Sequence, residues 1–289
     1  MNRLSKTDRV NVIRCLVEGN SIRSTVRITG VAKNTVAKLL VDMGKACSEY
    51  QDKAFRHLTC KRLQLDEIWS FVYCKAKNVP AEKANEDVGD VWTWTAICAD
   101  TKLIPSWHVG SRDCDSARTF CNDLAGRLTG RVQITSDGHH AYVEAIHGAF
   151  GYDVDYAQLV KIYGAPFEGE RRYTPSECLG CRKRRMRGDP DARHVSTSYV
   201  ERANLTMRMS MRRFTRLTNA FSKKIENHVA AISLHFMFYN FCRVHQSLRS
   251  TPAMKAGVAD HLWTIEELVD LLPEQKYDTR PEKKQKGLN

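Results

Sequence analysis

Three acidic residues stand out because of where they lie in the sequence. Asp66 lies in LQLDEIWSF, which is typical of a central apolar strand, where a charge is costly unless it is paired or binds a metal. Asp137 follows the apolar run VQITS, and Glu201 lies in the helical pattern TSYVERANLTMRMSMRR. Carboxylate oxygens are the ligands that Mg²⁺ prefers, so we interpret the three acids as a metal-binding set.

Each acid also has a structural explanation. Asp66 could be a buried salt-bridge partner, and Asp137 could cap the helix that follows it. Glu201 could pair with an arginine on the same helix surface. Glu67 is adjacent to Asp66, but successive strand residues point to opposite faces, so we expect only one of them to face a given site. The three acids taken together favour the metal-binding interpretation.

The elements that must position these acids are predicted from apolar periodicity. Strands are expected at 63–73, 90–99, 102–109, 131–135 and 157–162, and helices at 115–128, 139–150, 196–216 and 225–241. This order predicts an α/β fold: a ribonuclease H-like mixed sheet flanked by helices. Residues 164–195 are rich in Gly, Pro and Arg and are expected to form an irregular basic insertion.

Residues 1–46 predict a separate all-α domain. The pattern indicates three short helices, with a tight turn at Gly30 before the third, which is typical of a helix-turn-helix. The third helix would expose Lys33, Asn34, Thr35 and Lys38 to base edges of DNA. A three-helix bundle that serves only for packing or dimerisation is the alternative. Residues 47–62 are charged and are predicted to form a linker helix.

The charge distribution favours a polyanionic partner. The chain has 45 Lys and Arg against 33 Asp and Glu, a net charge of +12, and residues 161–224 hold sixteen of the former and six of the latter. Nucleic acid is the first choice of partner, and an acidic membrane surface the second. The predicted phosphate contacts are Arg182, Lys183, Arg184, Arg185, Arg208, Arg212, Arg213 and Arg216.

The ten cysteines are scattered, and only Cys178 and Cys181 have the spacing of zinc ligands. A single CxxC supplies half of a zinc site, so unliganded or dimer-linking thiols are favoured over zinc. No apolar stretch is long enough for a membrane span, and the first residues lack an apolar signal core. We therefore expect a cytoplasmic protein without membrane association.

The sequence around the acids resembles a known family. LDEIWSFV, TSDGHHAY, SYVERANLTMR and YNFCRVHQSLRSTPA are similar to segments of bacterial insertion-sequence transposases of the insertion-sequence-one type. The similarity covers about residues 5–265, and Asp66, Asp137 and Glu201 with Arg208 resemble the Asp-Asp-Glu catalytic set of transposases and retroviral-type integrases. The N-terminal cysteine zinc motif that relatives of this type often carry is absent here.

The resemblance implies a division of the chain and an activity. It implies a helix-turn-helix at 1–46, a linker at 47–62, a catalytic domain at 63–265 and a C-terminal segment at 266–289 with a charged, disordered tail. The three acids would bind two Mg²⁺ or Mn²⁺ ions. The activity would be cleavage of double-stranded DNA at element ends and joining of the 3′-OH to target DNA, by a homo-oligomer.

Two other functions remain open. A helix-turn-helix regulator without activity would need no carboxylate set, so the intact set argues against it. A metal-dependent nuclease that lacks strand transfer would use the same residues, and only the family resemblance favours the transposase over it.

Overall fold

A six-stranded mixed sheet flanked by helices is the centre of the computed structural model, which describes residues 4–83, 86–164, 177–215 and 219–273. The strands are β1 (Arg62–Val72), β2 (Gly89–Cys98), β3 (Ser106–Gly110), β4 (Val132–Ser136), β5 (Val154–Tyr163) and β6 (Cys178–Arg187). Their order is β3-β2-β1-β4-β5-β6. β4 and β5 run parallel to β1, and the other pairs are antiparallel. The predicted α/β class is confirmed, and the sheet is compatible with a ribonuclease H-like fold.

The helices follow the apolar periodicity. They are α1 (Lys6–Val17), α2 (Ile22–Thr29), α3 (Lys33–Ala54), α4 (Cys114–Ala125), α5 (Ala141–Phe150), α6 (Ser198–Ser210), α7 (Ile225–Met237), α8 (Pro252–Lys255) and α9 (Ile265–Asp270). Short 3₁₀ turns cover Ala76–Asn78, Ala81–Lys83, Ala192–His194 and Arg212–Phe214, and a π-helical turn, Phe238–Cys242, extends α7. Among the described residues, no helix combines the length and apolar character that crossing a membrane requires.

The N-terminal region forms three helices, as the periodicity predicts. Ser5 and Ser21 cap α1 and α2 through their side-chain oxygens, and Gly30 ends α2 with a left-handed φ of 70°. The predicted linker helix at 47–62 is not a separate element, because residues 47–54 are the last part of α3, which runs without a break from Lys33 to Ala54. Its buried side chains and those of the sheet belong to one hydrophobic core, so the expected boundary after residue 46 falls inside a packed helix.

Two other predicted elements differ from the structure. The basic insertion at 164–195 contains an edge strand, β6, and its residues 165–176 lie outside the described part of the chain. The strand was not predicted because half of the β6 residues are basic and eight of the ten are exposed, so the segment lacks apolar alternation. The predicted helix at 196–216 ends at Ser210, and the predicted tail disorder at 274–289 lies outside the described residues.

The contact between α3 and α7 requires a glycine. Ser233 of α7 donates a hydrogen bond to the carbonyl oxygen of Gly44 over 2.7 Å, and a methyl group on Gly44 would overlap the backbone of Ala230. The two helices can approach this closely only because residue 44 has no side chain.

Gly44→Ala should therefore destabilise the protein by about 2 kcal/mol, even though alanine favours an isolated helix by about 1 kcal/mol. Urea unfolding measures the change. Gly148→Ala in α5 is the matched control, because open space surrounds that position and the substitution should be neutral or stabilising. Equal effects of the two substitutions would contradict the packing account.

Candidate active site

The strand lengths bring Asp66 and Asp137 together. β1 pairs with β2 along almost its whole length, but its pairing with the parallel strand β4 stops at Leu65 and Ser136. Asp66 is the next residue of β1 and Asp137 is the next residue after β4, so the two lie side by side at the carboxyl edge of the sheet. That edge is where ligands bind in open α/β sheets.

Glu67 joins the two aspartates, which the sequence analysis did not expect. Asp66, Glu67 and Asp137 each offer an oxygen within 4.8 Å of the other two, and this cluster could hold a metal ion. The side chains of Asp66 and Glu67 do point to opposite sides: Asp66 contacts α6 and Glu67 contacts α5. The expectation that only one faces the site was wrong because the site lies beyond the end of β4, where Asp137 reaches both.

Two neighbours fix the Glu67 carboxylate. Arg112 donates from Nε to Oε1 over 2.7 Å, and the Tyr142 hydroxyl donates to Oε2 over 2.9 Å. The Glu67 side chain is only 1% exposed. A carboxylate that is buried and held at both oxygens cannot move away from Asp137 without losing these bonds.

Burial and mutual repulsion dominate the electrostatics of the cluster. Burial, and then the charges of Glu67 and Asp137, raise the pKa of Asp66 to about 7, although Asn204 donates to its Oδ2 over 2.8 Å. Burial and Asp137 also raise the pKa of Glu67, against the opposing effect of Arg112. A bound cation would relieve this repulsion, because it favours the ionised form of each acid.

His139 borders the cluster. Its side chain is 6% exposed, and its Nε2 has no hydrogen-bond partner and lies 4.0 Å from Oε1 of Glu67. The ring stacks on Trp94, and the backbone N–H of His139 donates to Oδ1 of Asp137 over 2.9 Å. Asp137 thus stabilises the turn before α5 and also faces the cluster, but it does not cap the helix, because the N-cap of α5 is His140, which has no side-chain capping hydrogen bond.

Glu201 faces the same cleft but is not part of the cluster. Gln64 of β1 accepts hydrogen bonds from the first backbone N–H groups of α6, which holds this helix against the sheet. Glu201, Asn204 and Arg208 all line a cleft of about 880 Å³ with the clustered acids, as their helical spacing predicts. Oε1 of Glu201 accepts from Nζ of Lys161 and from Oγ1 of Thr197, each over 2.5 Å.

The predicted DNA-binding residues differ in exposure. Lys33, Asn34, Thr35 and Lys38 are exposed on the first turns of α3, and Arg182, Lys183, Arg184 and Arg185 are exposed on β6. Arg212 is exposed as well, whereas Arg216 lies outside the described residues.

Arg213 does not fit the prediction of a phosphate contact. Its guanidinium donates to Oγ of Ser222 over 2.5 Å, and burial lowers its pKa to about 10. Ser222 in turn contacts the buried His228. Arg213 therefore supports the packing of α7 and does not extend the exposed basic surface at Arg212.

The structure gives no support to zinc at the CxxC. Cys178 and Cys181 are exposed free thiols on β6, and within the described ranges they are not grouped with a third possible metal ligand. His194, on the 3₁₀ turn that follows β6, has its Nδ1 2.6 Å from a guanidinium nitrogen of Arg62.

Glu67 and Lys161 are two charged site residues that were not predicted as such from the sequence. Both stand in apolar strand contexts, in LQLDEIWSF and AQLVKIY, which is the same signal that identified Asp66. That signal could have identified both residues, but only the fold shows which acids they approach.

The raised pKa of Asp66 has a consequence for stability. A carboxyl with a higher pKa in the folded state than in the unfolded chain stabilises the fold at low pH, and this contribution is lost between the two pKa values, from about 4 to about 7. In EDTA, Asp66→Asn should therefore be more stable than the wild type at pH 8, by about 1 to 2 kcal/mol, with little difference at pH 4. Unfolding at both pH values measures this.

The exposed acid Glu144 provides the control, since Glu144→Gln should show no such pH-dependent gain. An Asp66→Asn variant that is less stable than the wild type at pH 8 would show that the carboxylate is paired rather than repelled.

Searches of protein-family models and of curated proteins found no match to this chain. The chemistry of the cleft therefore has to be argued from its residues: clustered carboxylates at the sheet edge, with Glu201, Lys161 and Arg208 facing them.

Proposed function

We propose that the protein is a DDE transposase, which cleaves DNA at the ends of an insertion element and joins the freed 3′-OH to target DNA. The observation that carries this proposal is the cluster of Asp66, Glu67 and Asp137 at the carboxyl edge of the sheet, with Glu201 on the wall of the same cleft. The resemblance of the surrounding segments to insertion-sequence transposases supports the choice of reaction.

The residues present fit Mg²⁺ or Mn²⁺. All ligand atoms that the cluster offers are carboxylate oxygens, which these hard cations prefer. The negative charges of the three acids repel one another, so a positive ion between them would be stabilising. Asp66 and Asp137 would hold two such ions, with Glu201 as a further ligand. When bound, the ions would lower the pKa of the attacking water and stabilise the departing 3′ oxygen.

The chain's own residues orient this site. Asn204 holds Asp66 over 2.8 Å, and the backbone N–H of His139 holds Asp137 over 2.9 Å. These bonds keep each carboxylate directed toward the cleft before substrate arrives, which reduces the cost of ordering the site. Arg208 lines the cleft and would hold a phosphate through its planar guanidinium, since it cannot ligate a cation.

Charge near the cleft supports DNA as the substrate. Lys161 and Tyr163 of β5 line the cleft, and β6 pairs with β5 and presents Arg182 to Arg185 to solvent. A positive surface beside the acids would bind the phosphates that flank the reacting one. The exposed residues of α3 would supply sequence recognition, because the first residues of a recognition helix contact base edges.

Substitution of the acids tests the proposal. Asp66→Asn, Asp137→Asn and Glu201→Gln should each reduce Mg²⁺-dependent cleavage and joining by about a hundredfold or more, because each removes a ligand for the cations. The assay is incubation of the protein and Mg²⁺ with DNA that carries the flanked element ends, and it scores nicked and joined products separately.

Glu144→Gln on α5 is the matched control and should keep wild-type activity, since Glu144 is exposed and outside the cleft. Cleavage without joining would identify a nuclease. Binding of the element ends with no cleavage at all by the wild type would identify a regulator.

Recognition by α3 needs point substitutions rather than truncation, because α3 is part of the hydrophobic core. Asn34→Ala with Thr35→Ala should reduce the preference for terminal repeats over random DNA by about tenfold, with unchanged stability. Arg184→Ala should weaken binding to both DNAs equally, and more so at low salt. Fluorescence anisotropy with the two duplexes measures this, and an undiminished preference in the α3 variant would refute the recognition role.

A further inference from the structure

Lys161 occupies an unusual position for a basic residue. It lies in the apolar strand β5, and its Nζ contacts Oε1 of Glu201 at 2.5 Å, while the Thr197 hydroxyl donates to the same oxygen. The two side chains are 30% and 40% exposed. The ion pair is therefore half-buried on the wall of the cleft. Burial lowers the pKa of Lys161, but the hydrogen bond and the charge of Glu201 outweigh this effect and raise the pKa overall.

In this ion pair, Lys161 competes with a metal ion for the carboxylate of Glu201. Glu201 does not lie within 4.8 Å of all three clustered acids, and an ammonium at 2.5 Å neutralises its charge. A divalent cation at the cluster and the Lys161 ammonium would also repel each other across the cleft. Glu201 can therefore become a metal ligand only if its contact with Lys161 is weakened or lost.

We propose that Lys161 is a positioning residue that holds Glu201 away from the metal site until a divalent cation binds, and that the released ammonium then binds a phosphate of the DNA. This inference rests on the proposed function. Lys161 lines the cleft together with Arg208, so an ammonium that leaves Glu201 remains beside the acids. The exchange replaces one ion pair by two, Glu201 with the cation and Lys161 with a phosphate.

The exchange predicts opposite effects of one substitution on two ligands. Lys161→Met removes the competitor of the cation, so Mn²⁺ should bind the DNA-free protein about fivefold more tightly, equivalent to about 1 kcal/mol for a half-exposed ion pair. The same variant should bind a short duplex more weakly when Ca²⁺ is present. Without divalent cations its DNA affinity should be close to that of the wild type, because Lys161 is then occupied by Glu201.

Titration calorimetry with Mn²⁺ and anisotropy with the duplex provide the two measurements. Lys161→Gln repeats the test in case the methionine variant folds poorly, and Lys161→Arg should retain near wild-type Mn²⁺ affinity. Lys183 on β6 is the matched control, since Lys183→Met should weaken DNA binding equally with and without Ca²⁺.

A double variant shows whether Lys161 acts on Mn²⁺ binding through Glu201 or only through its positive charge near the cluster. Lys161→Met should not tighten Mn²⁺ binding when Glu201→Gln is already present. The same tightening in that background, or no tightening in the wild-type background, would overturn the inference alone. A wild-type protein that binds no Mn²⁺ would overturn both this inference and the proposed function.

Discussion

The repulsion among three carboxylates at the end of one strand pair is the constraint on which the rest of the site depends. Asp66, Glu67 and Asp137 lie within 4.8 Å of one another, and burial strengthens their repulsion. The fold tolerates this arrangement because each acid is held separately, Asp66 by Asn204 and Glu67 by Arg112 and Tyr142. A bound cation would relieve this repulsion, and that is the physical basis of the proposed activity.

The sheet produces this constraint through a difference in strand length. β1 has eleven residues and β4 has five, so β1 continues past its neighbour and places two successive acids beyond the end of β4. α6 and α5 then approach this edge from the two sides and supply Asn204 and Tyr142, and the segment between β3 and α4 supplies Arg112. α3 does not contribute to the cleft, but its packing on α7 joins the N-terminal helices to the same core, which makes the region more than an attached module.

The sequence predicted the parts of this arrangement that depend on local context. A charge in an apolar strand identified Asp66, an acid after an apolar run identified Asp137, and an acid in a helical pattern identified Glu201, which lines the cleft. Contacts between distant segments were not predictable in this way. The role of Glu67 depends on where β4 ends, and the inward turn of Arg213 depends on Ser222. β6 was missed because exposed basic residues form a strand only through pairing with β5.

The location of a bound cation is the most direct test of the account. Crystals of the protein soaked in Mn²⁺ at pH 8 should show an anomalous difference peak among the carboxylates of Asp66, Glu67 and Asp137. Glu201 should turn away from Lys161 in the same crystals. An empty cluster at millimolar Mn²⁺, or a peak only at other residues, would contradict the claim that these three acids form a metal site.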